Sequence, residues 1–297
     1  MPIAVLRDEG LSALIESDAL EVVASPSDGI KFTEGPLWLA DGTLLFQDIK
    51  AEKSYRIPPG GKPEAFRTDT GAANGQTFDA EGRVVFCEQN GRRVSRMNPD
   101  GSNVETVIEE WDGKRLNSPN DVIARRDGLV YFTDPPYGAP MFGRAIKFQG
   151  VFALDGLAQP RLLVDDFEKP NGLALSPDEA TLYICDTAQY HVRAFTVELS
   201  GALAEGSGRV FCTLDPEGKG GPDGMKVDER GRVFVAVADG VWVYEPDGRL
   251  LGILALDQRP SNLGWGGPDG RTLAITAVDH VYTVRFKAPG IIPPFRV

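Results

Sequence analysis

Apolar positions along this chain come in short runs, each bounded by Gly, Asp, Asn or Pro, and the 3.6-residue rhythm of a helix is largely missing. Six segments repeat one pattern: a polar leader, a small turn, an apolar strand, a D-G or E-G type turn, and a second apolar strand. They read EGPLWLADGTLLFQD from Glu34, NGQTFDAEGRVVFCE from Asn74 and NDVIARRDGLVYFTD from Asn120. The remaining three are NGLALSPDEATLYICD from Asn171, DGMKVDERGRVFVAV from Asp223 and NLGWGGPDGRTLAITA from Asn262. The leaders are 40, 46, 51, 52 and 39 positions apart, the period of a propeller blade at roughly 40–50 residues. Turn pairs followed by alternating apolar residues are hairpin signals. The pattern predicts an all-β, six-bladed β-propeller that takes up residues 1–297 as one domain.

Four stretches break the rhythm. Residues 8–20 (DEGLSALIESDAL) place Leu11, Leu14 and Ile15 on one helical face and predict a short N-terminal helix packed on the outside. The run DALEVVAS at 18–25 is suited to pair with the last repeat and close the ring, since a propeller joins its two chain ends in one blade. The segment from Tyr137 to Gly150 fits either a lid or an extended outer strand, and the tail from Lys287 to Val297 is proline-rich and extended.

The innermost strand of each blade lines the central channel, so equivalent positions of the six repeats converge. Here they are Glu34, Asn74, Asn120, Asn171, Asp223 and Asn262, every one a carboxylate or carboxamide. Asn and Asp before Gly also serve turns, but Asn120-Asp121 and Asn262-Leu263 lack the glycine, and no turn preference accounts for Glu34. A hard cation takes six to eight oxygens from such groups. Two carboxylates, Glu34 and Asp223, would balance a divalent charge while the asparagines add neutral donors. One divalent metal in the channel is therefore expected, calcium first, with zinc, magnesium or manganese as alternatives.

Composition narrows the partners. A net charge of −12 argues against a nucleic-acid surface. Three separated cysteines in apolar runs (Cys87, Cys185, Cys212) read as buried free thiols, and two histidines make a His/Cys zinc site improbable. No stretch has the roughly 20 apolar residues of a membrane span, and the N-terminus has no secretory pattern. The expectation is a cytoplasmic protein, monomeric or a small homo-oligomer, with a small-molecule substrate.

The stretches FTEGPLW (32–38), RLNSPNDV (115–122), YFTDPPYG (131–138), KPNGLALSPDE (169–179) and GPDGMKVDERG (221–231) resemble the gluconolactonase, regucalcin (senescence marker protein) and luciferin-regenerating-enzyme family, the bacterial gluconolactonase-like members above all. The resemblance implies a six-bladed propeller with a calcium-preferring site, whose metal ligands fall on Glu34, Asn171 and Asp223. A further channel asparagine falls on Asn120, a ligand in some members and a substrate contact in others. It also implies metal-dependent hydrolysis that opens a small lactone or ester, a sugar lactone first. Animal members carry a substrate-binding arginine where this chain has Ser118, which leaves the sugar open.

On that basis Asp223 is the expected general base, with direct nucleophilic attack as its alternative, and Glu34 is a pure ligand. Asn74, Asn120, Asn262 and Tyr137 are expected against substrate, with Asp121 supporting the ring from behind. Asp134 and Asp186 read as solvated turn residues. The competing functions are a phosphotriesterase-like hydrolase in the same pocket and a calcium-binding propeller without turnover.

Overall fold

The computed structural model describes residues 1–138, 143–156, 159–214 and 220–297. Six antiparallel sheets account for nearly all of it. Blade one is Thr33–Trp38, Leu44–Asp48, Lys53–Ile57 and Glu64–Thr68; blade two is Ala73–Phe78, Val84–Glu88, Arg93–Met97 and Glu105–Ile108. Blade three is Val122–Ala124, Val130–Asp134, Gln149–Leu154 and Arg161–Phe167; blade four is Pro170–Leu175, Thr181–Asp186, His191–Thr196 and Arg209–Thr213. Blade five runs from Met225–Val227 through Val233–Val237 and Gly240–Tyr244 to Leu250–Ala255, and blade six from Pro260–Gly266 through Thr272–Ala277 to His280–Arg285. The six repeats read from the sequence are the first two strands of these six blades.

The hairpin turns are built by the residues that signalled them. At Asp41-Gly42, Gly42 takes φ 87°, a region that excludes most side chains, and Asp41 Oδ1 accepts the Thr43 N–H at 2.8 Å. Apolar residues then alternate across the twisted strands and fill the gaps between blades. Leu37, Phe78 and Phe86 pack between blades one and two, Val85, Phe132 and Phe152 between two and three, and Phe234, Leu263 and Trp265 between five and six. All three cysteines are free and buried in these layers.

Ring closure follows the expected route. Glu21–Ala24 pairs antiparallel with the last strand, Glu21 opposite Thr283 and Val22 opposite Tyr282, so the N-terminal segment supplies the outer strand of blade six. Val5–Leu6 goes further and adds a fifth strand to blade five. The C-terminal tail crosses the far end of the channel: Ile291 N donates to Val227 O, and Ala40 N to Val297 O. Residues Ile291 to Pro294 there cover a cavity of about 100 Å3 walled by Leu37, Ile123, Leu175 and Trp265.

The helix expected over residues 8–20 is a single 3-10 turn, Ser12–Leu14. Its neighbours have spent their backbone groups elsewhere. Glu9 N and Leu11 N donate to Leu251 O on the edge of blade five, Ile15 bridges to Phe286, and Asp8 Oδ1 holds the Gly10 and Ser12 N–H groups. Leu11 and Ile15 are still buried, at 0% and 8% exposure, against the layer between blades five and six. Hydrophobic contact selected those two positions, and strand-edge hydrogen bonding took the backbone conformation. Of the segment 137–150, residues 139–142 lie outside the described residues. Gln149 begins the third strand of blade three, and Tyr137-Gly138 turns back toward the channel.

Leu11→Ala is expected to lower the unfolding free energy by about 2–5 kcal/mol, the cost of a large-to-small change in a packed layer. Ala13→Gly should cost well under the roughly 1 kcal/mol of a helix interior. Urea titration of both variants checks the pair of values.

Candidate active site

All six inner strands start at the same end of the channel, and backbone hydrogen bonds from blade to blade lock their starts together. Gly75 N donates to Asn120 O at 2.9 Å, Gly172 N to Asp223 O at 3.1 Å, and Gly224 N to Ser261 O at 2.7 Å. These bonds define which residues are equivalent. Glu34, Asn74, Asn120, Asn171 and Asp223 share the outer layer as expected, but in blade six that layer is occupied by Ser261. Asn262 lies one residue deeper, level with Asp121. The same side-chain pattern marks both: Asp121 N donates to Thr133 Oγ1 (3.2 Å) and Asn262 N to Thr276 Oγ1 (3.0 Å). The inner strand of blade six carries a register shift between Pro260 and Asn262, and an extra glycine, Gly266-Gly267, in its turn hides the offset in the sequence.

In the deeper layer four positions are glycine, Gly35, Gly75, Gly172 and Gly224. Asp121 and Asn262 project from opposite blades, three and six. Room for them comes from the glycine beside each: a Cβ on Gly75 would sit 2.1 Å from Asp121 Oδ1, and one on Gly224 would sit 2.3 Å from Asn262 Oδ1. Asn262 Oδ1 accepts the Leu263 N–H at 2.8 Å, which turns its amide N–H groups to the Glu34 and Asp121 carboxylates. Asp121 therefore faces into the channel with the ring, where the strand argument had placed it behind.

The outer layer is polar and almost closed to water. Glu34, Asn120 and Asn171 are each 4% exposed and Asn74 1%, while the Asp223 side chain is 15% exposed. Glu34 Oε2 accepts the Gly35 N–H at 3.1 Å. Burial pushes the Glu34 carboxyl well above the usual carboxylate range, and the nearby charges of Asp223 and Asp121 push it the same way. Burial also raises Asp223 to about 7, against the pull of Arg259 and the Asn171 amide. Asp121 is raised by burial and drawn back by Lys226. Asn74 Oδ1 and Asp121 Oδ2 are buried acceptors with no partner among the described residues. No group of three His, Cys, Asp or Glu gathers at metal-holding distance among those residues, so any cation here would rest on carboxamides as much as on carboxylates.

Tyr137 comes to the ring from the segment after blade three's second strand. Its hydroxyl donates to Thr187 Oγ1 (3.1 Å) and accepts from Asn171 Nδ2 (3.1 Å). Asn171 Nδ2 also donates to Thr187 Oγ1 at 3.0 Å, which in turn donates to Pro222 O. With the Asn171 amide nitrogen so engaged, its Oδ1 is the atom left for a ligand. Burial of the Tyr137 hydroxyl raises its pKa, with the Asp223 charge adding to the rise, while the residue as a whole is 38% exposed. Ser118 is fully buried and ties the segment before Asn120 to the Tyr137-Gly138 turn. Its Oγ accepts the Gly138 N–H at 2.8 Å and lies 3.3 Å from Gln89 O.

Two aspartates read as solvated are buried, and they position the ring. Asp134 is 0% and Asp186 2% exposed. Asp134 accepts the N–H groups of Asn117 and Ser118 at 2.7 Å each, just before Asn120. Asp186 accepts those of Glu168 and Lys169 before Asn171, and Asp48 those of Lys31 and Phe32 before Glu34. Sequence reasoning passed over this device, although its signal was present: an aspartate ends the second strand in three of six repeats. The strand it ends pairs with the inner strand, so the carboxylate meets the chain as it enters the ring.

A six-bladed propeller with an acidic, carboxamide-rich mouth at one end of its channel defines the class. The family model described as the SMP-30/Gluconolactonase/LRE-like region matches residues 32–279, and the chain belongs to that family. It is 31% identical to a gluconolactonase of Zymomonas mobilis over 94% of this chain and 85% of the relative. It is 29% identical to a pentonolactonase of Haloferax volcanii, over 82% of this chain and 80% of the relative. A solved gluconolactonase from Xanthomonas campestris is similar with a TM-score of 0.85 and 30% identity, covering 96% of this chain and 98% of that one.

Two outcomes follow for the protein in the absence of metal. The unfolded chain loses the Glu34 and Asp223 protons near the ordinary value of about 4, while the folded chain keeps them longer, Asp223 to about 7. The folded state thus binds more protons in between. Stability contributed by these groups falls as pH rises through that interval and levels off above it. Glu34→Gln should flatten the slope relative to the unaltered chain in chelator-treated unfolding titrations at pH 5 and 8; parallel slopes would refute the assignment. Gly75→Ala should displace Asn120-Asp121, because its Cβ would meet the Asp121 Cα at 2.7 Å and the Asn120 O at 2.9 Å, and should lower Tm, read by calorimetry.

Proposed function

We propose that this protein opens a small lactone, a sugar lactone first among them, by hydrolysis at the channel mouth with the help of one divalent cation, calcium by preference. The observation that carries the reading is the set of buried carboxyls, Glu34, Asp223 and Asp121, lying in one another's field beside Asn74 Oδ1 and Asp121 Oδ2, which have no partner among the described residues. Buried carboxylates without a matching positive charge are costly, and a hard cation with oxygen donors relieves that cost directly. The residues therefore fit the group. Relatives that are a gluconolactonase and a pentonolactonase support the reaction class and leave the size of the sugar open.

Glu34, Asn120, Asn171 and Asp223 would hold the cation, and when bound it would polarise the lactone carbonyl and stabilise the oxyanion. The chain does the rest. Asp223, the least enclosed of the carboxylates, accepts the proton of the attacking water at its carboxylate oxygen and returns it to the leaving alkoxide. Glu34 stays a ligand, tied by its Oε2 to the Gly35 N–H. Asn171 presents Oδ1 because Tyr137 and Thr187 occupy its amide. The exposed ring of Tyr137 and the carboxamides of Asn74 and Asn120 contact the substrate. Asn262 and Asp121 close the channel beneath, so a lactone enters only from the mouth and water below is kept from the carbonyl.

Acid release from five- and six-membered sugar lactones, followed with a pH indicator, tests this. Chelation should abolish turnover and calcium, or another of the divalent ions, should restore it. Asp223→Asn should lower kcat by about 10²–10⁴, the usual worth of a positioned base, and Glu34→Gln should demand higher metal concentrations for half-activity. Full activity after chelation would remove the cation from the scheme; silence on every lactone with metal restored would remove the reaction.

A further inference from the structure

Among the described residues, two cations bear on the buried carboxylates, from opposite sides. Lys226, on the inner strand of blade five, acts on Asp121. Arg259, in the connection from blade five to blade six, stands at the mouth, its Nη2 3.7 Å from Asp223 Oδ2 and its side chain 46% exposed. That distance is an ion pair beyond hydrogen-bond range. An arginine whose task is to fix a buried aspartate looks different in this same molecule: Arg232 touches Asp228 at 2.6 Å, with side chains 10% and 2% exposed. Arg259 attracts Asp223 without being bonded to it, and its N–H fork stays half in solvent.

The surroundings define what that fork can meet. The guanidinium rests against the backbone at Gly220, where an added Cβ would lie 3.4 Å from its Cζ and Nη1. The Tyr137 hydroxyl feels both Asp223 and Arg259. Asp223, Tyr137 and Arg259 thus frame one opening, with the carboxylate deepest and the guanidinium at the rim. A ring of Glu34, Asp121 and Asp223 alone would repel an anion. A divalent cation bound there would, together with Lys226 and Arg259, reverse the sign, and at the mouth the exposed part of that positive charge would be Arg259.

We propose that Arg259 reads a second acidic group on the substrate: a lactone carrying a carboxylate, phosphate or sulfonate away from its reacting carbonyl. Such groups offer paired oxygens that a planar guanidinium binds bidentately. The bond that is opened and the cation at the mouth rest on the lactone-hydrolase reading above; the placement of Arg259 at the rim does not.

The test compares glucono-1,5-lactone with its 6-phosphate, 6-sulfonate and 6-carboxylate counterparts, on the full chain with calcium present. At least one anionic lactone should exceed the neutral one in kcat/KM by about ten- to a hundredfold, the worth of charge-assisted hydrogen bonds. Arg259→Gln should erase that ratio, Arg259→Lys should restore part of it, and added salt should shrink it. Calorimetric binding of the open-chain acids, with and without the 6-substituent, gives a readout free of turnover. A chain that opens no lactone but binds the 6-substituted acids more tightly, and loses this in Arg259→Gln, keeps the Arg259 assignment while the reaction falls. Lactone opening with no preference for any anionic form, or an equal loss on all substrates in Arg259→Gln, overturns the proposal.

Discussion

The structure depends on the close approach of six strand starts around one axis. The bonds that make it, from Gly75, Gly172 and Gly224 to the carbonyls of the next blade, need a residue without a side chain at the donor position. A Cβ on Gly172 would stand 2.6 Å from the Gly224 Cα, and one on Gly224 would stand 2.7 Å from the Asn262 Cα. Once backbones are this close, the residue just before each glycine has only the channel mouth to occupy. A polar ring is then a consequence of the packing, and its chemistry is set by which polar residues stand there.

Gathering Glu34, Asp121 and Asp223 in one low-dielectric space works against folding, and the molecule counters with geometry ahead of charge pairing. Among the described residues, only Asp223 of the three has a cationic neighbour at ion-pair distance, and that at 3.7 Å. The chain entering each ring position is instead held by backbone N–H groups bonded to a buried aspartate: Asp48 before Glu34, Asp134 before Asn120, Asp186 before Asn171. Those clamps sit behind the ring and do not neutralise it. The ring can therefore stay rigid while its charge is left for a ligand to balance, which is the arrangement that a preorganised electrostatic site requires.

The blade count, the ring-closing strand from residues 18–25 and five of six outer-layer residues were legible in the sequence because each rests on a period that duplication keeps. What failed did so where a local detail overrode the period. Asn262 was assigned to the outer layer because asparagine led that repeat, while Leu263, which matches Leu173 in the packed layer, places it one residue deeper. Asp134 and Asp186 looked like turn residues because their hydrogen-bond partners are backbone groups distant in the chain. The helix at 8–20 had the right apolar spacing, but an open strand edge at Leu251 competed for its N–H groups and won. Arg259 lies in a connection between repeats and carries no periodic signal at all.

The departures from sixfold repetition make the channel asymmetric. Six identical leaders would make a symmetric pore, open at both ends and equally attractive all round. Here Asp121 and Asn262, side chains where four blades have glycine, meet across the channel through the Asn262 amide and floor the ring. The C-terminal tail closes the opposite end over apolar walls. Access is left to one mouth, and that mouth is uneven: Tyr137, held by Ser118 through Gly138, stands beside the Asn171 and Asp223 sector, with Arg259 at its rim. A ligand entering by that mouth would meet the Asp223 carboxylate from one direction. Because the polar ring is common to the repeat and the floor, tyrosine and arginine are not, changes at these four positions can alter what is recognised without disturbing the closure that holds the blades.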